Sequence, residues 1–222
     1  MEIFSRMYQQ KLERSILKDD EGSLLTSIVL ILTESDLLDR DSSRRLIEFV
    51  GWCKEYRINI LTIYVSLIDV DPDISGRIYN ELQLKITDIL KGVDAEINLI
   101  TIGGGEQLLK TSDSTSMQIN LSLGYGGKKE LTRAFKDIMT QIDTGELTPE
   151  EIDESVIEEN LLIRYEPDLV IRSGGKRLAD FLIWQSVYSE IYFTDVSWMN
   201  FRKLDLLRAI RDFQKRQRRF GK

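Results

Sequence analysis

Apolar and polar residues along this chain follow two alternating periods. Ser27 to Leu32 is an unbroken apolar run of strand length, the pattern of a strand buried on both faces. Similar runs recur at Ile60–Leu67, Ile97–Ile102, Met117–Leu123, Leu169–Arg172 and Ile191–Asp195, several closed by glycine or Asp-Pro breaks. Between them the apolar period lengthens to that of a helix. Helices are predicted over Met1–Leu17, Ser43–Glu55, Ser75–Leu90, Lys128–Gln141, Phe181–Glu190 and Asn200–Arg218. Another should open at Thr148-Pro149-Glu150-Glu151, where Thr148 can cap, Pro149 suits the first turn and Glu151 occupies the capping-box position. A polar loop is expected through Glu34, Asp36 and Asp39. Strands alternating with helices favour a parallel sheet with helices on both faces, built as one domain over residues 1–222.

Composition narrows the chemistry. The chain has no histidine and one cysteine, Cys53. Ser-His and Cys-His catalysis, histidine-ligated metals and an internal disulfide framework are therefore excluded, and a reducing cytoplasm is the expected setting. A net charge of −7 argues against nucleic acid as a partner. The N-terminal helix is amphipathic, with Ile3, Phe4, Met7, Tyr8, Leu12 and Ile16 on its apolar stripe. It reads as packed on the body of the protein or a partner, or as a peripheral contact with a membrane surface. From Arg202 onward nine basic residues face only Asp205 and Asp212, a solvated basic helix or an anion site.

Glycine turns after strands can present backbone N–H groups to an anion. Three occur, at Gly103–Gly105, Gly124–Gly127 and Gly174-Gly175, and none forms a dinucleotide or Walker fingerprint. The third stands apart. Arg172-Ser-Gly-Gly-Lys-Arg177 sets cations around a glycine turn at the carboxyl end of a strand, where open α/β sheets bind ligands. Arginine forks match diphosphate oxygens, although a charged strand end can also be an ordinary surface turn.

The stretch Pro167–Phe201, which includes Arg172-Ser-Gly-Gly-Lys-Arg-Leu-Ala-Asp-Phe-Leu-Ile-Trp-Gln185 and Glu190-Ile-Tyr-Phe-Thr-Asp195, resembles the signature of the cis-prenyltransferases, the undecaprenyl and dehydrodolichyl diphosphate synthases. Leu121–Gly127 resembles that family's Asn-Tyr-Gly-Gly region, Ile60–Tyr64 its second strand, and Arg219-Phe220-Gly221 its C-terminal Arg-x-Gly motif. The resemblance implies a parallel sheet flanked by helices and a hydrophobic tunnel. It implies condensation of isopentenyl diphosphate with an allylic diphosphate, with Mg2+ as cofactor. It also implies paired subunits, the Arg-x-Gly of one reaching the active site of the other.

Departures from the family pattern shape the expected function. Thr33 falls at the position of the family's metal-binding aspartate, and the glycines, arginine and tryptophan of its first loop are replaced. A neutral threonine is a poor substitute for a carboxylate on a hard cation. Ser66–Val70 departs from the second motif, and the third lacks one residue, with Lys176 near the glutamate position and Ala179 at the serine position. Arg172 and Arg177 persist, as does Glu190 at the family's second acidic metal position. The pattern resembles the non-catalytic, Nogo-B-receptor-type subunit of heteromeric enzymes. That implies no catalytic residue of the chain's own, with isopentenyl diphosphate at Arg172 and Arg177, Arg219 and Gly221 donated to a catalytic partner subunit, and Mg2+ held mainly by that partner. On residues alone, the tail would read as a frayed basic terminus. Two alternatives stand beside this reading: a self-sufficient homodimer with a rearranged first loop, and a non-enzymatic diphosphate-lipid scaffold.

Overall fold

The computed structural model describes residues 2–18, 25–39, 41–67, 72–101, 103–112, 117–175, 177, 178, 180 and 182–216, with residues 2–6, 18 and 72–75 described by their backbone alone. Seven strands, β1 (Ser27–Thr33), β2 (Ile60–Ser66), β3 (Glu96–Ile100), β4 (Glu106–Lys110), β5 (Gln118–Leu123), β6 (Leu169–Ser173) and β7 (Glu190–Thr194), form one sheet in the order β4-β3-β5-β2-β1-β6-β7. Every pairing is parallel except β3 with β4. The expected parallel sheet is therefore correct, with one antiparallel edge strand added. That strand was not predicted because Glu-Gln-Leu-Leu-Lys is largely exposed and carries no apolar run.

Helices α1 (Glu2–Lys18), α2 (Glu34–Leu38), α3 (Ser42–Glu55), α4 (Pro72–Leu90), α5 (Gly127–Asp143), α6 (Glu154–Glu159) and α7 (Lys203–Lys215) fill the connections. Alternate residues of β1 point to opposite faces. Ile28, Leu30 and Leu32 enter the larger core with Leu61, Ile63 and Val65 of β2, Leu46 and Phe49 of α3, Leu82 and Ile86 of α4, and Leu206 and Ile210 of α7. Val29 and Ile31 enter a smaller core with Tyr64, Tyr125, Ile163 and Val170. This second face is partly polar. Thr62, Asn120 and Asn98 lie in register across β2, β5 and β3, and Tyr165 covers the row with its hydroxyl against Thr62 and Asn120.

Phe49 packs edge-on against Trp198 and Phe201, with ring centroids 5.7 and 5.8 Å apart. It joins α3 to the segment that precedes α7. Phe49→Ala is expected to lower the unfolding free energy by about 3–5 kcal/mol, read as a shifted urea midpoint.

The N-terminal helix packs on the body of the protein, with Leu12 and Ile16 in the larger core. Lys203 fastens it: its ammonium lies 3.1 Å from Glu13 and 2.7 Å from Glu55, over the Tyr56 ring. Burial alone would lower the pKa of Lys203, but hydrogen bonds to Glu55 and Glu13 outweigh it and raise the value. Among the described residues no helix is long and apolar enough to cross a membrane.

Three elements differ from expectation. The polar stretch after β1 closes into the short helix α2. The helix expected from Phe181 is instead a run of turns over 183–188, and position 181 lies outside the described residues. There Gln185 is drawn inward to Glu130 and Ile163, while the N–H and hydroxyl of Ser186 both bond the Leu182 carbonyl, a single helical turn that is not continued. The Thr148 signal opens only the three-residue 3-10 turn Pro149–Glu151, in which Glu151 accepts both the N–H and the hydroxyl of Thr148.

Candidate active site

The carboxyl ends of β1, β2, β5 and β6 meet along one edge of the sheet. Thr33 pairs with Ser66 there, and Arg172 pairs with Ile31 on one side and Phe193 on the other. Because β6 runs parallel and buried, Arg172 can emerge only at its end, on the same face as Ile31 and Tyr64.

The glycine turn after β6 is built around that arginine. Gly174 has φ +66°, a conformation that favours glycine, and its N–H returns to the Thr194 carbonyl at 3.0 Å. Gly175 lies so close to the guanidinium that a Cβ there would sit 3.0 Å from Arg172 Nε. Arg172 Nη1 donates to the Ile31 carbonyl at 3.3 Å. Its Nε is buried and has no hydrogen-bond partner. An unsatisfied buried cationic donor beside a glycine turn fits an anionic oxygen. Arg177 is exposed in the loop beyond.

Asp180 ties this loop to the second glycine turn. Its carboxylate accepts the Lys128 N–H at 2.9 Å, closing the N-terminus of α5, and its carbonyl accepts the Tyr64 hydroxyl. Burial holds the Tyr64 phenol protonated well above its ordinary range. Gly126 is required at this contact, because a Cβ would sit 2.2 Å from the Asp180 carbonyl oxygen. Gly126→Ala is therefore expected to push the Arg172 loop off α5 and to cost about 1–3 kcal/mol, read by thermal denaturation together with faster amide exchange in residues 172–180. Beneath this contact Glu130 is buried. Its carboxylate accepts the N–H groups of Leu162 and Ile163 at 3.1 Å and the Gln185 amide at 2.9 Å. Burial raises its pKa against those bonds.

The end of β1 has a different character. Asp36 turns back on Thr33, and one of its oxygens accepts the Thr33 N–H at 2.8 Å and the Thr33 hydroxyl at 2.7 Å. Glu34 is buried. Glu190 opens β7 opposite Leu169, at the amino end of the strand, three residues and about 10 Å from the level of Arg172. Its carboxylate is 2.7 Å from Arg216, whose pKa is raised first by that hydrogen bond and also by Asp212. The structure thus brings Arg172 to the glycine turn but does not bring Glu190 to the same edge. Among the described residues no group of three or more His, Cys, Asp or Glu side chains could hold a metal. As α2 stands, the donors at the end of β1 are a neutral hydroxyl, the Asp36 carboxylate engaged with Thr33 and the buried Glu34, a set that does not fit the oxygen shell of Mg2+. Arg219 and Gly221 lie outside the described residues, as do Lys176 and Ala179. Sequence reasoning missed Asp180 and Gly126 as partners. They are far apart in sequence, and the Gly124–Gly127 turn gave only a generic signal.

Residues 101–221 match the family model described as "Putative undecaprenyl diphosphate synthase". The chain is 34% identical to an isoprenyl transferase 1 of Corynebacterium efficiens over 95% of both chains. It is 31% identical to a geranylgeranyl-diphosphate-specific tritrans,polycis-undecaprenyl-diphosphate synthase of Methanocaldococcus jannaschii, covering 98% of this chain and 89% of the relative. It is 37% identical to isoprenyl transferase 2 of Tropheryma whipplei over 82% of this chain and 78% of the relative. These relatives bear the names of transferases and synthases, not of accessory subunits. In fold, the chain superposes on lavandulyl diphosphate synthase from Lavandula x intermedia with TM-score 0.70 at 22% identity, over 90% of this chain and 100% of that one. A probable undecaprenyl diphosphate synthase from Campylobacter jejuni gives TM-score 0.68 with the same identity and coverage. The sheet order, the Arg172 turn and these matches agree: the chain belongs to the cis-prenyltransferase family of undecaprenyl diphosphate synthases.

Proposed function

We propose that this chain is the non-catalytic subunit of a two-component cis-prenyltransferase that makes polyprenyl diphosphate from isopentenyl diphosphate and an allylic diphosphate. The observation that carries this reading is the end of β1. Thr33 stands at the family's aspartate position, and the Asp36 carboxylate is folded back on Thr33 itself. Ionising an allylic diphosphate requires positive charge and close backbone donors at the departing group. Here the backbone at that strand end is instead consumed in opening α2. Arg172 and Arg177 hold the diphosphate of isopentenyl diphosphate, Arg172 through its free Nε. The partner subunit supplies the aspartate loop and holds Mg2+ in the complex, and Arg219 and Gly221 complete its site.

A second reading has its own support. The relatives named above are called transferases or synthases. On that reading the chain is a self-sufficient homodimer in which α2 rearranges to release Asp36 or Glu34. Co-purification separates the two. The chain, the most similar aspartate-bearing synthase from the same genome, and the pair together are assayed for polyprenyl product. The first reading expects activity from the pair that exceeds either chain and is lost with Arg219→Ala. Full activity from this chain alone supports the second. Diphosphate binding with no product in any combination supports a scaffold role and removes both.

A further inference from the structure

A second cationic cleft lies on α5, joined to the Arg172 loop through the bond between the Lys128 N–H and Asp180. It is lined by Gly103, Tyr125, Lys128, Thr132, Arg133 and Lys136, between the turn after β3 and the first three turns of α5. In the sheet order β5-β2-β1-β6, its floor at the end of β5 is three strands from Arg172, about 14 Å.

Three features of this cleft run against the physics of an isolated helix. Lys128 and Lys129 occupy the first turn of α5, where the helix end is positive and acids are favoured. Lys129, Arg133 and Lys136 follow at spacings of four and three, so like charges share one face in a chain of net charge −7. The one first-turn acid, Glu130, is buried and bound to Leu162 and Ile163. Asp137 relieves only Arg133, at 3.4 Å from its Nε.

The second observation is independent of charge counting. Tyr125 is only 2% exposed, and its hydroxyl lies against Arg133, whose Nη1 is buried beside it; apart from each other, neither atom has a hydrogen-bond partner. Both side chains are wedged against Gly104. That residue has φ +79°, and a Cβ there would meet Tyr125 Cε2 at 3.0 Å and Arg133 Cδ at 3.1 Å. The turn after β3 thus holds a buried Tyr125–Arg133 pair, with hydrogen-bonding capacity to spare, under a rim of exposed lysines. The Asp180 carboxylate on the Lys128 N–H and Asp137 on Arg133 compensate this charge only in part, and an anionic ligand would supply the rest.

We propose that this cleft binds a phosphate or diphosphate group, with Arg133 and Tyr125 at its floor and Lys128 and Lys136 at its rim. The group is either a free anion or the headgroup of a phosphate-bearing lipid. This inference does not rest on which reading of function holds.

The test uses the full chain carrying Arg172→Ala, so that binding at the other turn is strongly weakened, in buffer containing a metal chelator. Inorganic pyrophosphate is titrated calorimetrically. In parallel the chain is sedimented with phosphatidylcholine vesicles, with and without phosphatidic acid. Saturable binding is expected in at least one arm, and the arm identifies the source of the phosphate. Lys128→Ala and Lys136→Ala, at exposed positions that leave the fold intact, should each weaken it about tenfold. Tyr125→Phe, which keeps the ring, should weaken it about threefold. Absence of binding in both arms overturns the proposal, and so does binding that none of the three substitutions changes.

Discussion

Arg172→Ala is expected to weaken binding of isopentenyl diphosphate to this chain about a hundredfold, measured by calorimetry on the folded protein. The guanidinium lies at the carboxyl end of β6 with one nitrogen on the Ile31 carbonyl and Nε buried without a partner. A charge-assisted bond from such a donor contributes about 1.5–3 kcal/mol, and loss of the fork removes more than one. Arg172→Lys should recover only part of the affinity. An ammonium restores the charge but cannot span two oxygens from the Gly175 side. Unchanged binding in Arg172→Ala would remove the diphosphate role from this turn. The circular dichroism spectrum should not change, because Arg172 is only partly buried and its one bond is to a carbonyl that can be rehydrated.

A large effect on stability is also expected at Asp168. One oxygen of this carboxylate receives four donors: the N–H and hydroxyl of Thr26 at 2.8 and 3.1 Å, and the N–H and hydroxyl of Ser27, both at 3.0 Å. Its own N–H returns to Ser27 Oγ at 2.8 Å, and its carbonyl accepts the Glu190 N–H at 3.0 Å. Asp168 thereby joins the amino ends of β1, β6 and β7, which fixes the register that carries Arg172 to its place three residues beyond Leu169. Asp168→Ala would leave those donors unmatched, including the buried Ser27. The expected loss is about 2–4 kcal/mol of unfolding free energy, read from urea denaturation. Asp168→Asn keeps one acceptor oxygen and should lose roughly half as much.

What the sequence made legible followed from burial. β1, β2, β5 and β6 are covered on both faces, so their residues form mainly apolar runs, interrupted by Thr62, Asn120 and Ser122, that can be recognised one strand at a time. β4 sits at an edge with three of its five residues exposed, and nothing in its composition demands a strand. Residues 182–189 carry a helix-like apolar period, but the chain there follows the inward pull of Gln185 toward Glu130, a contact across 55 positions. In the candidate site, Arg172 was legible because a cation and two glycines follow an apolar run. Asp36 was read as part of a polar loop, since its turn onto Thr33 depends on how α2 closes over the edge of the sheet. Glu190 was placed by its motif, but the register of β7 against β6 sets it at the amino end, beside Arg216. Tyr125 was legible only as part of a glycine turn and Arg133 not at all, because their meeting depends on the turn at Gly104.

The loss of a working first loop at Thr33 is the central claim, and turnover by the isolated chain tests it most directly. The purified protein is incubated with farnesyl diphosphate, radiolabelled isopentenyl diphosphate and Mg2+, and the extracted products are counted. The account predicts incorporation no greater than in a reaction without protein. Polyprenyl product from the chain alone, abolished by chelating the metal, would contradict it and establish that Asp36 or Glu34 takes over the role of the missing aspartate.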